Sequence, residues 1–401
     1  MIRRVTGRAL TIAALFLVAV AVLLGSGGLF YMSTALIATI AASRLQAWLS
    51  VRGLRFERVA PESVTAGDLV TVEIIVWSEK RIRRPLVTVV DNLPPRLHAI
   101  DHTESLPIAP AFDQPIRTLY QFRPMRRGKY GWIGLTAYGT DALGLVTMAK
   151  RYDTTPAQMT VRPVPIPISL DLPHASSWGI NEVESGRSRG AGIEPRGVRN
   201  YAAGDPLRHI HWRSSAKTGQ LLVKEFEAGS HAPAAFILQR TSGTDVGVGP
   251  MSTFEAMCGH VAYICDRFLR QGVMVEFPTV EHRLKGISHK ERQTEVLDVL
   301  ASLNPDSAET LGDELLRGLP KLGSGAIVYL MAGVVDPSLP EAVRHASNAG
   351  VQAVVLAYDA SAFLATPRKQ VAPATDPLFL SNLDHAGAHV LVMPLEGLGV
   401  G

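Results

Sequence analysis

Between Arg8 and Arg44 the chain carries no charged residue. A stretch of that kind has to be taken out of water, which restricts everything around it. As one helix it would be about 50 Å long at ~1.5 Å per residue, against a hydrocarbon core of about 30 Å. Gly25-Ser26-Gly27-Gly28 lies in its middle and supplies a turn. The preferred reading is a transmembrane helical hairpin within residues 1–50, with spans at about 9–24 and 29–45. Each span is near the short limit, and Trp48 and Leu49 can extend the second. Arg3, Arg4 and Arg8 precede the run, Arg44, Arg52, Arg55 and Arg58 follow it, and the turn is uncharged. The positive-inside rule then puts both ends in the cytoplasm, giving a multi-pass protein of the inner (plasma) membrane with its bulk cytoplasmic. A single anchor and a cleaved signal peptide compete with this. The basic start fits a signal, but no small-x-small cleavage site follows and a second apolar run does.

The remainder reads as folded protein. Of 401 residues 47% are hydrophobic and 19% charged, enough for two or three domains. A net charge of +4 is small for this length and argues against a dedicated nucleic-acid binder. Cys258 and Cys265 are the only cysteines, which excludes a disulfide framework and fits a reducing compartment.

From 54 to 163 the pattern is all-β. Val70, Val72, Ile74 and Val76 alternate with Thr71, Glu73 and Ile75, and similar runs occur at 86–90, 117–122, 130–138 and 159–162. Breaker clusters such as Asn92-Leu93-Pro94-Pro95 separate them, so an immunoglobulin-like β-sandwich is expected. Residues 164–233 read as a linker that runs into a dense polar motif. From 234 to 401 apolar strands (234–238, 273–277, 326–331, 351–357, 389–393) alternate with helical stretches (252–271, 291–303, 309–319, 340–349). That alternation predicts a mainly parallel sheet covered on both faces. Ser252 with Glu255 three residues on reads as a capping box.

The motif runs from Arg196 to Phe226 and mixes Arg, Lys, His, Asp, Trp and Tyr with turn-forming Gly and Pro. Two readings of it stay open. Arg199, Arg208, Arg213, Lys217 and Lys224 could hold an anionic substrate or an acidic partner, since Arg forks suit planar oxyanions. Alternatively Asp205, Glu225 and Glu227 consume those charges, Tyr201 and Trp212 pack over a sheet, and Gly204-Asp205 is a turn, so that the motif locks a domain junction. Ser214-Ser215-Ala216-Lys217 and Lys217-Thr218-Gly219 echo acyl-enzyme motifs but share one lysine, so they cannot fill both roles. His209-x-His211 and His385-x-x-x-His389 lack further ligands, so no metal is expected there. Cys258 and Cys265 fall on an apolar helix face and read as buried thiols. With no Walker loop, dinucleotide fingerprint, zinc-protease motif or nucleophile elbow, no catalytic residue and no cofactor are expected.

The succession of an apolar hairpin, a β domain, Gly204-Asp205-Pro206-x-Arg208-x-Ile210-x-Trp212, Ser215-Ala216-Lys217-x-Gly219 and Val223-Lys224-Glu225-Phe226 resembles the bacterial domain-of-unknown-function family 58. Arg58-Val59-Ala60-Pro61, Arg126-Arg127-Gly128-Lys129-Tyr130 and Asp141-Ala142-Leu143-Gly144-Leu145 support the resemblance. It implies a von Willebrand factor A-like C-terminal domain and partnership with a MoxR-type AAA+ ATPase in chaperone-like or assembly work. It therefore points to a non-enzymatic adaptor; an enzyme or ligand-binding module for an anionic substrate is the alternative. Two positions depart from the pattern. The resemblance implies an Asp-x-Ser-x-Ser metal loop after the first strand, yet Gln239, Thr241 and Gly243 occupy those positions, and no carboxylate follows the strand at 326–331 until Asp336. Mg²⁺ needs hard oxygen ligands, so a degenerate, metal-free site is expected. His211 stands where the family has Asp.

Overall fold

The computed structural model describes residues 3–81, 87–101, 106–109, 112, 114–169, 172, 195–200, 211–226, 233–280, 284–364 and 372–394. The chain divides into two compact units, Met1–Val164 and Pro165–Gly401.

In the first unit, helices α1 (Arg3–Leu23) and α2 (Gly27–Ser50) pack against each other across a turn at Leu24–Ser26, where Gly25 takes φ +63°. The α2 helix is long and apolar enough to cross a membrane; the apolar run of α1, Ala9–Leu23, is shorter. Trp48 and Leu49 do extend the second helix. Ala14 and Ala21 of α1 are buried, as are Ser33, Ile40, Ser43, Ala47 and Ser50 of α2. Most of these are small residues; Ser50 of α2 lies against Gly139 of the following β region.

Nine strands follow: β1 (Leu54–Val59), β2 (Ser63–Thr65), β3 (Val70–Ser78), β4 (Val87–Asp91), β5 (Ala99–Ile100), β6 (Leu106–Ile108), β7 (Ile116–Pro124), β8 (Gly128–Thr140) and β9 (Thr147–Arg162). They form a four-stranded sheet, β1-β3-β7-β5, and a five-stranded sheet, β2-β9-β8-β4-β6. One core is shared by both sheets, with Val72, Ile74 and Phe122 from one and Val87, Leu135 and Val161 from the other. Two sheets closing on one core is the sandwich arrangement. The alternation read at 70–76 matches the burial of β3, whose even-numbered valines and isoleucine are all inward. Strand β9 is far longer than the 159–162 read from the sequence, because Thr147–Thr155 is largely exposed and polar and has no apolar period. Pro156, which cannot donate to a ladder, lies where β8 bulges between Trp132 and Gly134. Leu86, placed in a strand by the sequence reading, lies outside the described residues.

The core of this unit contains an ion pair. Arg58 Nη2 lies 2.5 Å from Asp91 Oδ1 and its Nε donates to Oδ2 at 2.9 Å, with both side chains out of water. Tyr120 Oη and Trp132 Nε1 also donate to Oδ2, at 2.6 and 3.2 Å, and Arg58 Nη1 donates to the carbonyls of Trp132 and Thr155. Burial, then the Asp91 charge, pushes the Tyr120 hydroxyl far above its usual range, so it stays a donor. A buried charge is tolerable only when its polar atoms are answered; here Tyr120 and Trp132 donate to Asp91, and backbone carbonyls accept from Arg58.

In the second unit, β10 (Pro195–Asn200) and β11 (Leu222–Phe226) form an antiparallel ribbon that brackets helix α3 (Trp212–Thr218). Then come β12 (Ala234–Leu238), a small hairpin of β13 (Gly247–Val248) and β14 (Met251–Ser252), α4 (Thr253–Arg270), β15 (Val275–Glu276), α5 (His289–Ser302), α6 (Leu311–Gly318), β16 (Ile327–Ala332), α7 (Leu339–Asn348), β17 (Gln352–Ala357), α8 (Pro377–His385) and β18 (His389–Val392). The sheet β15-β12-β16-β17-β18 is parallel throughout. Alternate residues of each central strand enter different cores. Phe236, Tyr329 and Met331 pack with α4 and α5, whereas Ile237, Val328 and Leu330 pack with α6, α7 and α8. Coverage of both faces explains why these strands read as continuous apolar runs.

Three readings change. Ile166, Ile168 and Leu172 pack with the core of this unit, and the Ile166 amide bonds to the Gly259 carbonyl, so the start of the expected linker is stitched to α4. Only half of the capping box at α4 forms: Ser252 accepts from the Glu255 amide. Helix α8 was missed, since its start is set by Asp376 capping Leu378 and Phe379 rather than by an apolar period.

Removing one member of the buried pair leaves the other uncompensated. Asp91→Ala is expected to destabilise the first unit by about 3–5 kcal/mol, measured by denaturant unfolding of the detergent-solubilised chain. A near-neutral result would mean that Arg58 reaches water.

Candidate functional site

Two places bear on function: the polar motif and the carboxyl ends of the parallel strands.

Within the motif, α3 is fixed at both ends by side chains of the motif itself. His211 is its N-cap, and its Nδ1 accepts from the Ser214 amide at 3.1 Å. An Asp carboxylate at an N-cap makes the same kind of bond, so the imidazole can serve here as a carboxylate would. Ser215 is buried; its Oγ donates to the His211 carbonyl and accepts from the Leu222 amide at 2.8 Å. The His211 amide in turn bonds to the Leu222 carbonyl, closing the helix onto β11. Gly219 ends the helix at φ +70°, a conformation that favours glycine. Ser215 and Gly219 thus have structural duties, and sequence reasoning missed that of Ser215. Lys217 is exposed in the last turn, where a cation suits the helix dipole.

Trp212 and Arg213 form the first turn of α3, and the ribbon register sets Arg199 opposite Val223 and Lys224 opposite Val198. Tyr201, Gly204, Asp205, Arg208 and His209 lie outside the described residues.

At the sheet, β12 is followed in the chain by β15 on one side and later by β16 on the other. The crevice between the carboxyl ends of β12 and β16 is therefore the switch point where open α/β sheets take ligands. Gln239 fills it. Its side chain is buried; Oε1 accepts from the amides of Gly333 and Val334 at 2.8 and 3.0 Å, and Nε2 donates to the Val334 carbonyl at 3.2 Å. The Gln239 amide nitrogen itself bonds to the Met331 carbonyl. One primary amide thus cross-links the loop after β16 to the end of β12.

The other residues of the expected metal loop are also committed. Thr241 Oγ1 donates to the Glu309 carbonyl at 2.9 Å, and Gly243 turns the chain at φ +86°. The nearby carboxylates have partners within the fold. Asp245 accepts from the Phe254 amide and Thr253. Asp336 accepts from the Gly312 amide and from the amide and hydroxyl of Ser338. Glu314 takes two bonds from Arg240 on Oε1, while its buried Oε2 has no hydrogen-bond partner among the described residues. Among the described residues no group of three or more His, Cys, Asp or Glu is arranged to hold a metal ion.

Groups that could do chemistry are closed into the core. His260 is buried, with Nδ1 sharing a hydrogen bond of 2.9 Å with Tyr358 Oη, and burial lowers its pKa to about 4. Burial, then the neighbouring Asp266, holds the Cys265 thiol well above the range where thiolate forms, and Cys258 is equally enclosed. His385 bonds back to Ser381 within α8.

Residues 197–357 match the family model described as protein of unknown function DUF58, which supports a relationship to that family over this segment. No curated protein matches the chain. Solved structures give small likenesses. A CARDB domain from Pyrococcus furiosus, crystallised with di-metal ions, is 16% identical, with 25% of this chain and 91% of that chain covered and a TM-score of 0.18. The complex of zinc 2-glycoprotein with prolactin inducible protein from human seminal plasma is 16% identical over 28% of this chain and 97% of that one, at TM-score 0.21. A conjugative transposon lipoprotein from Bacteroides eggerthii is 12% identical over 26% and 98%, at 0.16. At such TM-scores these likenesses carry no inference about fold or activity.

Gln239→Ala leaves the Gly333 and Val334 amides unanswered in a buried crevice. It is expected to destabilise the second unit by about 1–3 kcal/mol for each amide left unsatisfied, read from denaturant unfolding. His260 sets a pH dependence. The unfolded chain takes up a proton near pH 6.5, which the folded chain refuses until about pH 4. Its contribution is thus complete above pH 6.5 and falls by up to ~1.4 kcal/mol per pH unit between about 6.5 and 4. Denaturant midpoints across that range should flatten in His260→Gln.

Proposed function

We propose that the protein is a membrane-anchored adaptor or assembly factor that binds a protein partner. The second unit acts in this reading as a von Willebrand factor A-like module with a degenerate metal site, and the partner is a MoxR-type AAA+ ATPase. The observation that carries it is Gln239. With the switch-point crevice taken up by a side-chain amide, there are no free oxygen ligands at that position to hold Mg²⁺, and recognition falls to the outer surface. The enclosed His260, Cys258 and Cys265 support a non-enzymatic role. The bonds of His211 and Ser215 favour a structural motif over an anion-binding one.

In this reading both N-terminal helices cross the inner membrane and the folded units lie in the cytoplasm. Basic residues flank the outer ends and none lies in the turn. The apolar run of the first helix, Ala9–Leu23, is short for a span.

Affinity capture of the full chain from detergent-solubilised membranes, without nucleotide, is expected to bring down a MoxR-type ATPase in a yield that excess EDTA or added Mg²⁺ leaves unchanged. Capture that depends on Mg²⁺ overturns the metal-independent mode, and a capture without the ATPase overturns the partner assignment.

A further inference from the structure

The segment Asp141-Ala142-Leu143-Gly144-Leu145, which joins β8 to β9, has no part in the proposed function so far. Its turn is tightly built. The Asp141 carboxylate accepts from the Val146 amide at 2.7 Å and the Leu143 amide at 3.1 Å, and it lies near enough to the Ser43 side chain of α2 to be influenced by it. The Gly144 amide bonds to the Asp141 carbonyl, with Gly144 at φ +70°. Leu143 stands at the outermost position of this turn, 65% exposed. A lone exposed leucine is ordinary, and exposure alone argues nothing. Its position is what matters.

Contacts along α2 give the direction of the β8–β9 hairpin. Gly139 lies so close to Ser50 that a Cβ would sit 1.8 Å from Ser50 Oγ, and Tyr152 Oη donates to the Val51 carbonyl. Further out, the Ala142 amide donates to Gln46 Oε1 at 3.1 Å, and Asp141 reaches Ser43. The hairpin therefore runs along α2 toward its N-terminus, and its tip stands about 10 Å beyond Ser50 at ~1.5 Å per residue. A hydrocarbon core of about 30 Å takes about 20 helical residues, which counted from Gly27 end near Gln46. The tip is at that level. Interfacial residue types stand at this level and just on its aqueous side, within about 10 Å along α2. Arg44 is the one charge in α2, the Arg52 guanidinium lies 3.8 Å over the Trp48 ring, and Lys150 on β9 lies 4.4 Å over the Tyr152 ring. Basic and indole side chains gather at headgroup depth.

From this geometry we infer that the Asp141–Val146 turn is a second membrane contact, seating Leu143 in the lipid interface beside α2. The Ala142–Gln46 bond, with Asp141 beside Ser43, clamps the turn to the helix, so the β unit is held to the bilayer at two points and cannot swivel about α2. The occupant of this face is lipid, because exposed Leu143 lies next to Ala142, which bonds to Gln46, and the adjacent α2 residue Leu45 is an exposed apolar side chain. The inference rests on α2 being embedded in a membrane, and its test separates the two.

Leu143→Cys, carrying an environment-sensitive NBD label, is reconstituted as the full chain in vesicles of phosphatidylcholine and phosphatidylglycerol. The buried native thiols of Cys258 and Cys265 are replaced by Ala. A second chain is labelled at Ile37→Cys, on the exposed side of α2. Blue-shifted emission at 143 that is quenched by shallow spin-labelled lipid supports the contact. Water-like, unquenched emission at 143 with quenching at 37 overturns the contact and leaves the span standing. No quenching at either position overturns both. A label at 143 shielded from aqueous iodide but untouched by the lipid quencher overturns the contact in favour of a protein covering the turn. Asp141→Ala, which removes the carboxylate beside Ser43, is expected to lose the quenching at 143 and keep that at 37.

Discussion

A single side-chain amide ties together the carboxyl ends of β12 and β16, the two strands between which an open parallel sheet would ordinarily admit a ligand. Both oxygen lone pairs of Gln239 are used on backbone amides, and its nitrogen is used on a carbonyl. The neighbouring loops then arrange themselves around a closed crevice: Thr241 bonds toward Glu309, and Asp336 turns to the start of α6 and to Ser338. A carboxylate at 239 would carry charge into the same buried space and call for a cation or a proton. The neutral amide needs neither. The neighbouring acids Asp245 and Asp336 are likewise bonded within the unit.

In the first unit a different kind of satisfaction matters. Arg58 and Asp91 are charged, fully enclosed and answered on every side by Tyr120, Trp132 and backbone carbonyls. Such a pair adds little net stability over an apolar core, but it punishes any mispairing of the two sheets. The β8–β9 hairpin built on this frame meets the end of α2 through Gly139, Tyr152 and Ala142. The long apolar helix α2 and the sandwich are thereby joined without a flexible joint.

Much of this was legible in order along the chain. The strand at 70–76 announces itself because one face is buried and one is wet, and the strands at 234–238 and 326–331 because both faces are buried. Strand β9 was mostly illegible. Its residues from Thr147 to Thr155 owe their extended shape to pairing with β8, a neighbour fixed by tertiary contact and not by local preference. Ile166 and Ile168 read as linker because Pro interrupts them, yet Ile168 is buried in the core of the second unit and Ile166 packs partly buried against it. His211 looked like a lost carboxylate, and only the distance to the Ser214 amide reveals a cap that either residue type can make.

The sequence by itself determined that the chain has an apolar helical start, a β region and an α/β region, because periodicity and charge exclusion are local properties that survive without coordinates. It also pointed to the family whose model matches residues 197–357. Only the tertiary structure decided what the polar residues do. Whether Gln239 closes a crevice or lines one, whether Asp141 only shapes its turn or also stands beside Ser43, and whether Arg58 meets Asp91 all depend on partners distant in the chain. A polar side chain has no fixed role until the fold assigns it a partner within about 3 Å.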